Sequence, residues 1–505
     1  MLRTLRRYLA DNVVEPRLVS RVVRQVTERL HRRIQLTEEV VPVLEIMSVS
    51  LRMELHVNIV TPHLISHPLF YCWSLTDRSW LERFINNVAG MKSLRIDDDM
   101  FHTNFEASAA YMVISGRLCY TQEPDSSTVL ERTEDKVEKG SWLSESALWC
   151  KWVHVGTAVA VTPCKVLTLN AESFVEEVEK NPQIKMVAKA YGKEYHRRVV
   201  SARPPYAPWP NDVRVPFAEY DELVASMSKT AAVFIGMQAL SRLSNTSWRG
   251  MRQSRRQQVD KLSEEVLQGK SAVIQDHTGK VFRIVSVVAL HLEHENGYLF
   301  AQVGKLSEKG LSATCELPGA KHEHGQLVED ALDQLLTTKL AALQGCVEIE
   351  HLTARLLEKM SEEYNVLTRY RRTICHATLS ADFEAPVCGN KRRESKVFTS
   401  AASSHALASG MGAFSAWPAG DVANQVEARL WGTDVYFFRH ARQVGGIFYA
   451  WLDPADFEYL ETSSGKAMLK VWLEAQQVPA SASLKTPEEG EESFLSEVDS
   501  DIKSV

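Results

Sequence analysis

Carboxylates, imidazoles and thiols are the groups in this chain that would do chemistry, and their spacing decides which chemistry is open to them. Residues 316–340, ELPGAKHEHGQLVEDALDQLLTTKL, place Glu323, Glu329 and Asp330 at and just after a loop that leads into a helix. Carboxylates clustered on one helix face hold Mg²⁺ against a diphosphate. Here Gln334, Leu335, Thr338 and Lys339 follow, so no carboxylate extends the cluster at these positions. His322, Glu323 and His324 lie together on the loop with no complementary ligand pair nearby, so they read as surface residues. The eight cysteines, at 72, 119, 150, 164, 315, 346, 375 and 388, form no C-x-x-C pair. Neither a zinc site nor a disulfide framework is signalled, and reduced thiols in a cytoplasmic protein fit best. There is no P-loop, Ser-His-Asp set or kinase signature.

The elements that must position such groups follow from periodicity. Leu2, Leu5, Leu9 and Val13, then Leu18, Val22, Val26 and Leu30, recur at helical spacing over residues 1–33, with a break at Pro16. A helix is expected over 38–66, stopped by Pro68, and another over 75–91, capped by Thr76 or Asp77 and stopped by Gly90. From 93 the pattern changes to short β segments divided by Gly, Asp and Pro, an antiparallel barrel or roll of about 80 residues. A helix over 171–201 follows, interrupted at Asn181-Pro182. RPPYAPWPNDVRVP reads as a linker, and 216–269 as mostly helical with the basic run RGMRQSRRQQVDK as a solvated face. VFRIVSVVALHLE and YLFAQVGKL are strands joined by a turn at His294–Gly297, with a helix over 326–343 and further strands over 367–381 and 434–452.

The chain has 505 residues, 45% apolar and 24% charged, which excludes a fibrous or wholly disordered protein and suits two or three domains. Its net charge of −6 and pI of 6.3 argue against nucleic-acid binding through bulk charge. Residues 1–34 carry a net +6 and residues 479–505 a net −5. The acidic tail is expected to be disordered and to act as a solvating tail, with an acid-directed phosphosite at Ser496, before Glu497 and Asp499, as the lesser reading. No apolar run approaches the length of a spanning helix, and the N-terminus lacks the apolar core of a secretory signal.

LRRYLADNVVEPRLVSRVVRQVTERL and LEIMSVSLRMELHVNIVTPHLISHPLF, with Leu51, Arg52, Glu54, Leu55 and then Pro68-Leu69-Phe70, resemble the C-linker helices of cyclic-nucleotide-gated and hyperpolarisation-activated channels. AAYMVISGRLCY, with Gly116 at its turn, resembles a strand pair of the cyclic-nucleotide-binding roll in the same channels. The resemblance covers residues 1–200 and implies a tetramer assembled through the C-linker, below a membrane pore encoded before Met1. In that family a helix N-terminus and an arginine hold the cyclic phosphate and a glutamate takes the ribose hydroxyl. The matching stretch is WLSESALWCKWVHVGTAVAV. The resemblance implies a ligand set of Ser144, Glu145, Ser146, Ala147, Gly156 and Thr157. Ser144 replaces a glycine, and Gly156 stands where the phosphate arginine belongs. Trp142, Trp149 and Trp152 are bulky enough to fill the ligand's space, and Lys151 or His154 offers a substitute cation. Binding of cAMP or cGMP is therefore expected to be weak, with the pocket empty, self-filled or selective for another ligand.

Leu317, Pro318, Gly319, Lys321, Glu323, Gly325, Ala331 and Leu332 resemble the first half of the Nudix hydrolase motif, and VVALHLEHENGYLFAQVGK resembles its first hairpin. The second half departs from it, because Gln334, Leu335, Thr338 and Lys339 replace the metal-binding end. A Nudix-like fold without hydrolase activity is implied.

The expected fold is α+β. It comprises a helical C-linker over 1–70, an antiparallel roll with flanking helices over 71–202, and a linker with helices over 203–270. A degenerate α/β/α Nudix-like domain follows over 271–476, with a disordered insertion over 383–424, then the tail over 477–505. The expected function is the non-enzymatic cytoplasmic regulatory region of a potassium- or cation-channel-type protein, with no catalytic or metal site and no resident cofactor. Its basic first helix would lie near anionic inner-leaflet lipid, and no nucleic acid is expected as a partner. The alternatives are a soluble sensor or scaffold unattached to a channel, and an active Nudix hydrolase.

Overall fold

The computed structural model describes residues 2–12, 14–31, 44, 46–246, 253–269, 271–294, 296–308, 310–321, 326–361, 363–379, 387–390, 419–439 and 445–478. The expectations for His322, Glu323, His324 and Gly325, most of 383–424, the arginines at 249 and 252, and the tail from 479 with Ser496 lie outside these residues. The chain divides into two compact units. One comprises 1–203, 208–284 and 360–368; the other comprises 204–207, 285–359 and 369–505. No helix among the described residues is long and apolar enough to cross a membrane.

The first unit opens with α1 (Leu2–Asp11) and α2 (Pro16–His31), and Pro16 takes the first position of α2, where its missing N–H costs nothing. Next come α3 (Val49–Leu64) and α4 (Pro68–Thr76). Pro68 opens α4, because its fixed φ suits a first turn as well as it ends a preceding one. In α5 (Arg78–Val88) the cap is Asp77, whose Oδ1 accepts from Trp80 N at 2.9 Å. The helix ends before Gly90, which lies in β1 opposite Thr168, so strand pairing and not a glycine stop terminates it.

Eight strands follow: β1 (Ala89–Leu94), β2 (Asp99–Phe101), β3 (Ala109–Ser115), β4 (Leu118–Gln122), β5 (Thr133–Val137), β6 (Trp142–Leu143), β7 (Thr157–Ala160) and β8 (Cys164–Asn170). They form two antiparallel sheets, ordered β1-β8-β3-β6 and β2-β7-β4-β5. Alternation explains the packing. In β3, Tyr111 and Val113 point into the roll with Leu118, Tyr120, Val137, Ala158 and Val166, whereas Ala110, Met112 and Ile114 point outward to the helices. Gly116 makes the β3–β4 turn at φ +91°, and a Cβ there would lie 2.4 Å from the Pro163 carbonyl.

After the roll come α6 (Ala171–Glu179) and α7 (Pro182–Ser201), split where Asn181 Oδ1 caps Gln183 and Ile184. The segment that composition marks as linker and helices contains α8 (Tyr220–Ser226), α9 (Lys229–Thr246) and α10 (Gln253–Gln268). Val215, Tyr220, Leu223, Val224, Met227 and Ile235 bury themselves in the same core as α4–α7. Strand β9 (Ala272–Gln275) pairs with residues 281–284.

In the second unit, the strands Leu299–Ser307, Gly446–Leu452 and Val435–Arg439 pair antiparallel in that order, and residues 285–293 pair beside them. Neighbouring residues turn to opposite faces. Phe300, Phe438 and Tyr449 pack with the helix Val328–Thr338, while Ala301, Phe437 and Phe448 pack with the helices Ala419–Leu430 and Ser463–Glu474. The result is a sheet with helices on both faces.

Candidate functional site

Between β6 and β7 a short 3₁₀ turn, Glu145–Leu148, opens after Ser144. Ser144 has φ +54°, a region glycine enters without strain and serine does not. A partner far along the chain holds it there. Ser144 N donates to the Asp212 carbonyl, and Ser144 Oγ donates to Asp212 Oδ1 at 3.2 Å. Asp212 belongs to the proline-rich stretch read as a linker, and its side chain is 0% exposed.

The Asp212 carboxylate sits in a closed cradle. Trp152 Nε1 donates to Oδ1 at 2.8 Å and His154 Nδ1 at 2.7 Å, so the ring carries its proton on that nitrogen. Oδ2 accepts from Tyr120 Oη at 2.8 Å, Val155 N at 2.9 Å and Gly156 N at 3.2 Å. His154 is stacked on Phe101, with centroids 3.9 Å apart and planes within 5°. Burial and the nearby Asp212 charge push the Tyr120 phenol well above its ordinary range, which keeps it a donor. A Cβ on Gly156 would lie 2.5–2.6 Å from the Tyr120 ring, so glycine is what lets the backbone reach the carboxylate.

The turn that presents Asp212 is built locally. Asn211 Oδ1 accepts from Val213 N and Arg214 N, an Asx-type turn, and Asn211 Nδ2 donates to Gln122 Oε1 on β4 at 3.0 Å. Beyond it, the buried Arg198 of α7 donates to the Phe217 carbonyl at 3.2 Å and to Ser226 Oγ at 2.7 Å. The strap is thus fastened at both ends.

The residues proposed from sequence fall into three groups. Ser144 and Gly156 meet at Asp212. Glu145, Ser146 and Ala147 lie on the 3₁₀ turn but face α7. Glu145 Oε1 accepts from Tyr191 Oη at 3.2 Å and Trp149 Nε1 at 3.3 Å, with His67 Nε2 at 3.6 Å. Ser146 Oγ pairs with Tyr195 Oη at 3.4 Å, and Ala147 is buried with Trp152. Thr157 turns away from Asp212, and its Oγ1 accepts at 3.3 Å from Thr103 N, just beyond β2. Lys151 is exposed. Trp142 packs on His67 and Phe70 and Trp149 on Tyr191, while Trp152 enters the cradle. Asp212 and Tyr120 are the residues that sequence reasoning missed. The one local signal for Asp212 was Asn-Asp between prolines, a turn former.

Chemically, the cradle is an anion site made of two backbone amides, two hydroxyls, an indole and an imidazole. No lysine or arginine is among these donors, and the anion is supplied in cis. Nothing in it is a nucleophile aimed at an open pocket.

No protein-family model and no curated protein matches the chain. Solved structures resemble part of it, among them the following three. A cyclic nucleotide-binding-like protein from Brucella abortus bv. 1 str. 9-941 is 22% identical, covering 19% of this chain and 84% of its own, with a TM-score of 0.17. The N-terminal domain of a transcriptional regulator from Streptomyces coelicolor A3(2) is 18% identical over 28% of this chain and 94% of its own, with a TM-score of 0.23. The sensor domain of the transcriptional regulator DNR from Pseudomonas aeruginosa is 17% identical over 30% and 95%, with a TM-score of 0.24.

Proposed function

We propose that this chain is a non-enzymatic regulatory protein whose roll is a sensor fold of the cyclic-nucleotide-binding kind that carries its own ligand. The observation that carries the reading is the Asp212 carboxylate, buried at the amides of Val155 and Gly156, where an external phosphate would otherwise be received. A permanently seated anion makes the roll a fixed element that responds to whatever moves the strap, and not to cAMP or cGMP. Calorimetric titration of the full chain with cAMP and with cGMP tests this. No heat is expected up to millimolar nucleotide, and micromolar binding would overturn it.

The C-linker resemblance supports placing this module on the cytoplasmic face of a membrane, as the regulatory region of a potassium- or cation-channel-type protein. In that setting α1 to α3 assemble a homotetramer and the basic α1 meets anionic lipid. Exposed Tyr8, Leu18, Val49, Leu51 and Met53 on these helices favour assembly. In-frame transcript sequence upstream of Met1 separates this from a soluble sensor: six spanning segments and a pore loop support the channel, and stop codons sink it. The second unit is read as a Nudix-like fold without hydrolase activity. Lys339, at a position where that motif needs a metal ligand, donates from Nζ to the Gly319 carbonyl at 2.9 Å and so pins a cation in the loop.

A further inference from the structure

The second unit carries a different cluster, on the sheet face away from the helix Val328–Thr338. Strands Val347–Met360 and Leu367–Leu379 are neighbours, and residues 285–293 lie on the far side of the latter. Two contacts fix the register of the first pair. Arg369 Nε donates to Glu358 Oε1 at 2.8 Å, and the rings of His351 and His376 stack with centroids 4.4 Å apart and planes within 3°. That antiparallel register sets Arg355 opposite Arg372. On the third strand His291 lies against His376, with centroids 4.7 Å apart. Cys375 and Ala377 enter the core beside Val328–Thr338, so Arg372, Ile374 and His376 turn to the other face.

Like charges directly opposite one another destabilise a strand pair. Arg372 is only partly exposed, and neither it nor Arg355 makes a hydrogen bond or close ion pair among the described residues. Burial lowers the affinity of Arg372 for its proton, Arg355 adds to this, and Glu461 and Glu316 act against it from beyond contact range. His376 is likewise held below its ordinary range by burial first, then by His291, His351 and Arg355, with Glu350 opposing. Its Nε2 shares a hydrogen bond with Thr353 Oγ1 at 3.0 Å. The half-buried Arg372 guanidinium faces the exposed Arg355, flanked by three imidazoles, and among the described residues it lacks the anionic partner that would offset its desolvation.

We infer that this face binds a phosphate-class anion, held by Arg355 and Arg372, with His291, His351 and His376 around it. The planar forks of two guanidiniums match an anion with several charged oxygens, and the imidazoles supply further donors. The site belongs to the second unit and does not depend on the reading of Asp212.

Calorimetry of the full chain with inorganic diphosphate tests it, alongside the histidine ring-proton resonances. Saturable heat is expected, with shifted resonances of the stacked rings. Arg372→Gln and Arg355→Gln should each weaken binding by about tenfold or more, while Arg369→Gln, whose guanidinium already engages Glu358, stays within about twofold. Without anion, Arg372→Gln is expected to melt no lower than the parent and to lose its rise in melting temperature with diphosphate. No heat at millimolar diphosphate, or full-affinity binding by a folded Arg372→Gln chain, would overturn the inference.

Discussion

Asp212→Ala is the perturbation that the cradle answers most sharply. Truncation removes the acceptor of six hydrogen bonds. The hydroxyls of Tyr120 and Ser144 can rotate to other partners, but the Trp152 indole, the His154 ring and the Val155 and Gly156 amides are fixed. Each buried donor left unpaired costs about 1–3 kcal/mol. Such losses do not add, and removing one side of a buried charged cluster costs about 3–5 kcal/mol in total. For a unit of this size about 2–4 °C of melting temperature goes with each kcal/mol, so a fall of roughly 6–20 °C is expected. Asp212→Asn keeps one acceptor but turns an amide donor toward other donors, and should fall between. The assay is thermal unfolding of the full chain with and without acetate. In the alanine variant acetate refills the cradle, and at one hundred times its dissociation constant it restores about 2.7 kcal/mol. The parent, already occupied, gains nothing. A variant melting within about 1 °C of the parent, or equal stabilisation of both chains by acetate, would refute the reasoning.

Gly156→Arg should not create a cyclic-nucleotide site, because its Cβ collides with the Tyr120 ring; destabilisation by about 1–3 kcal/mol and no nucleotide heat are expected in melting and calorimetry. Alkaline pH should unfold the first unit. Burial first, then nearby groups, raise the phenols of Tyr120, Tyr191, Tyr195 and Tyr220, and burial lifts the Cys72 thiol to about 12. The unfolded chain releases these protons near pH ~10 for tyrosine, while the folded chain keeps them. Their stability contribution is therefore complete below that pH and declines above it by about 1.4 kcal/mol per pH unit for each group, so tyrosinate absorbance should rise together with loss of structure. Glu265→Ala removes the carboxylate to which the buried Arg283, 3% exposed, donates twice. A loss of about 3–5 kcal/mol in denaturant unfolding is expected, with Lys261→Ala on the exposed neighbouring pair as the near-silent control.

Much of the first unit was legible because its signals are local. Pro16, Asp77, Asn181 and Gly116 act within a turn of where they stand, and the continuous apolar run in AAYMVIS reports a strand buried on both faces. Pro68 and Gly90 misled because a proline opens a helix as readily as it follows one, and a glycine serves strand pairing as well as a helix end. Half of the candidate site was legible too. The stretch 142–157 stood out by its residue types, and Gly156, where the resemblance implies an arginine, pointed to weak nucleotide binding and a pocket empty, self-filled or selective for another ligand. What occupies that position was hidden, because Asp212 reaches the cradle from more than fifty residues away, in a stretch whose prolines mark it compositionally as linker. Composition reports how a segment behaves alone. It says nothing of a short turn clamped by Gln122 at one side and by Arg198 beyond it. The opposed arginines 355 and 372 were invisible for the same reason, since cross-strand register is a property of two segments at once.

The most direct test of the self-occupied cradle is amide hydrogen exchange of Val155 and Gly156 in the full chain, with and without saturating cAMP. Strong protection without nucleotide, unchanged when it is added and lost in Asp212→Ala, is the predicted result. Fast exchange in the nucleotide-free chain that cAMP slows would contradict the account.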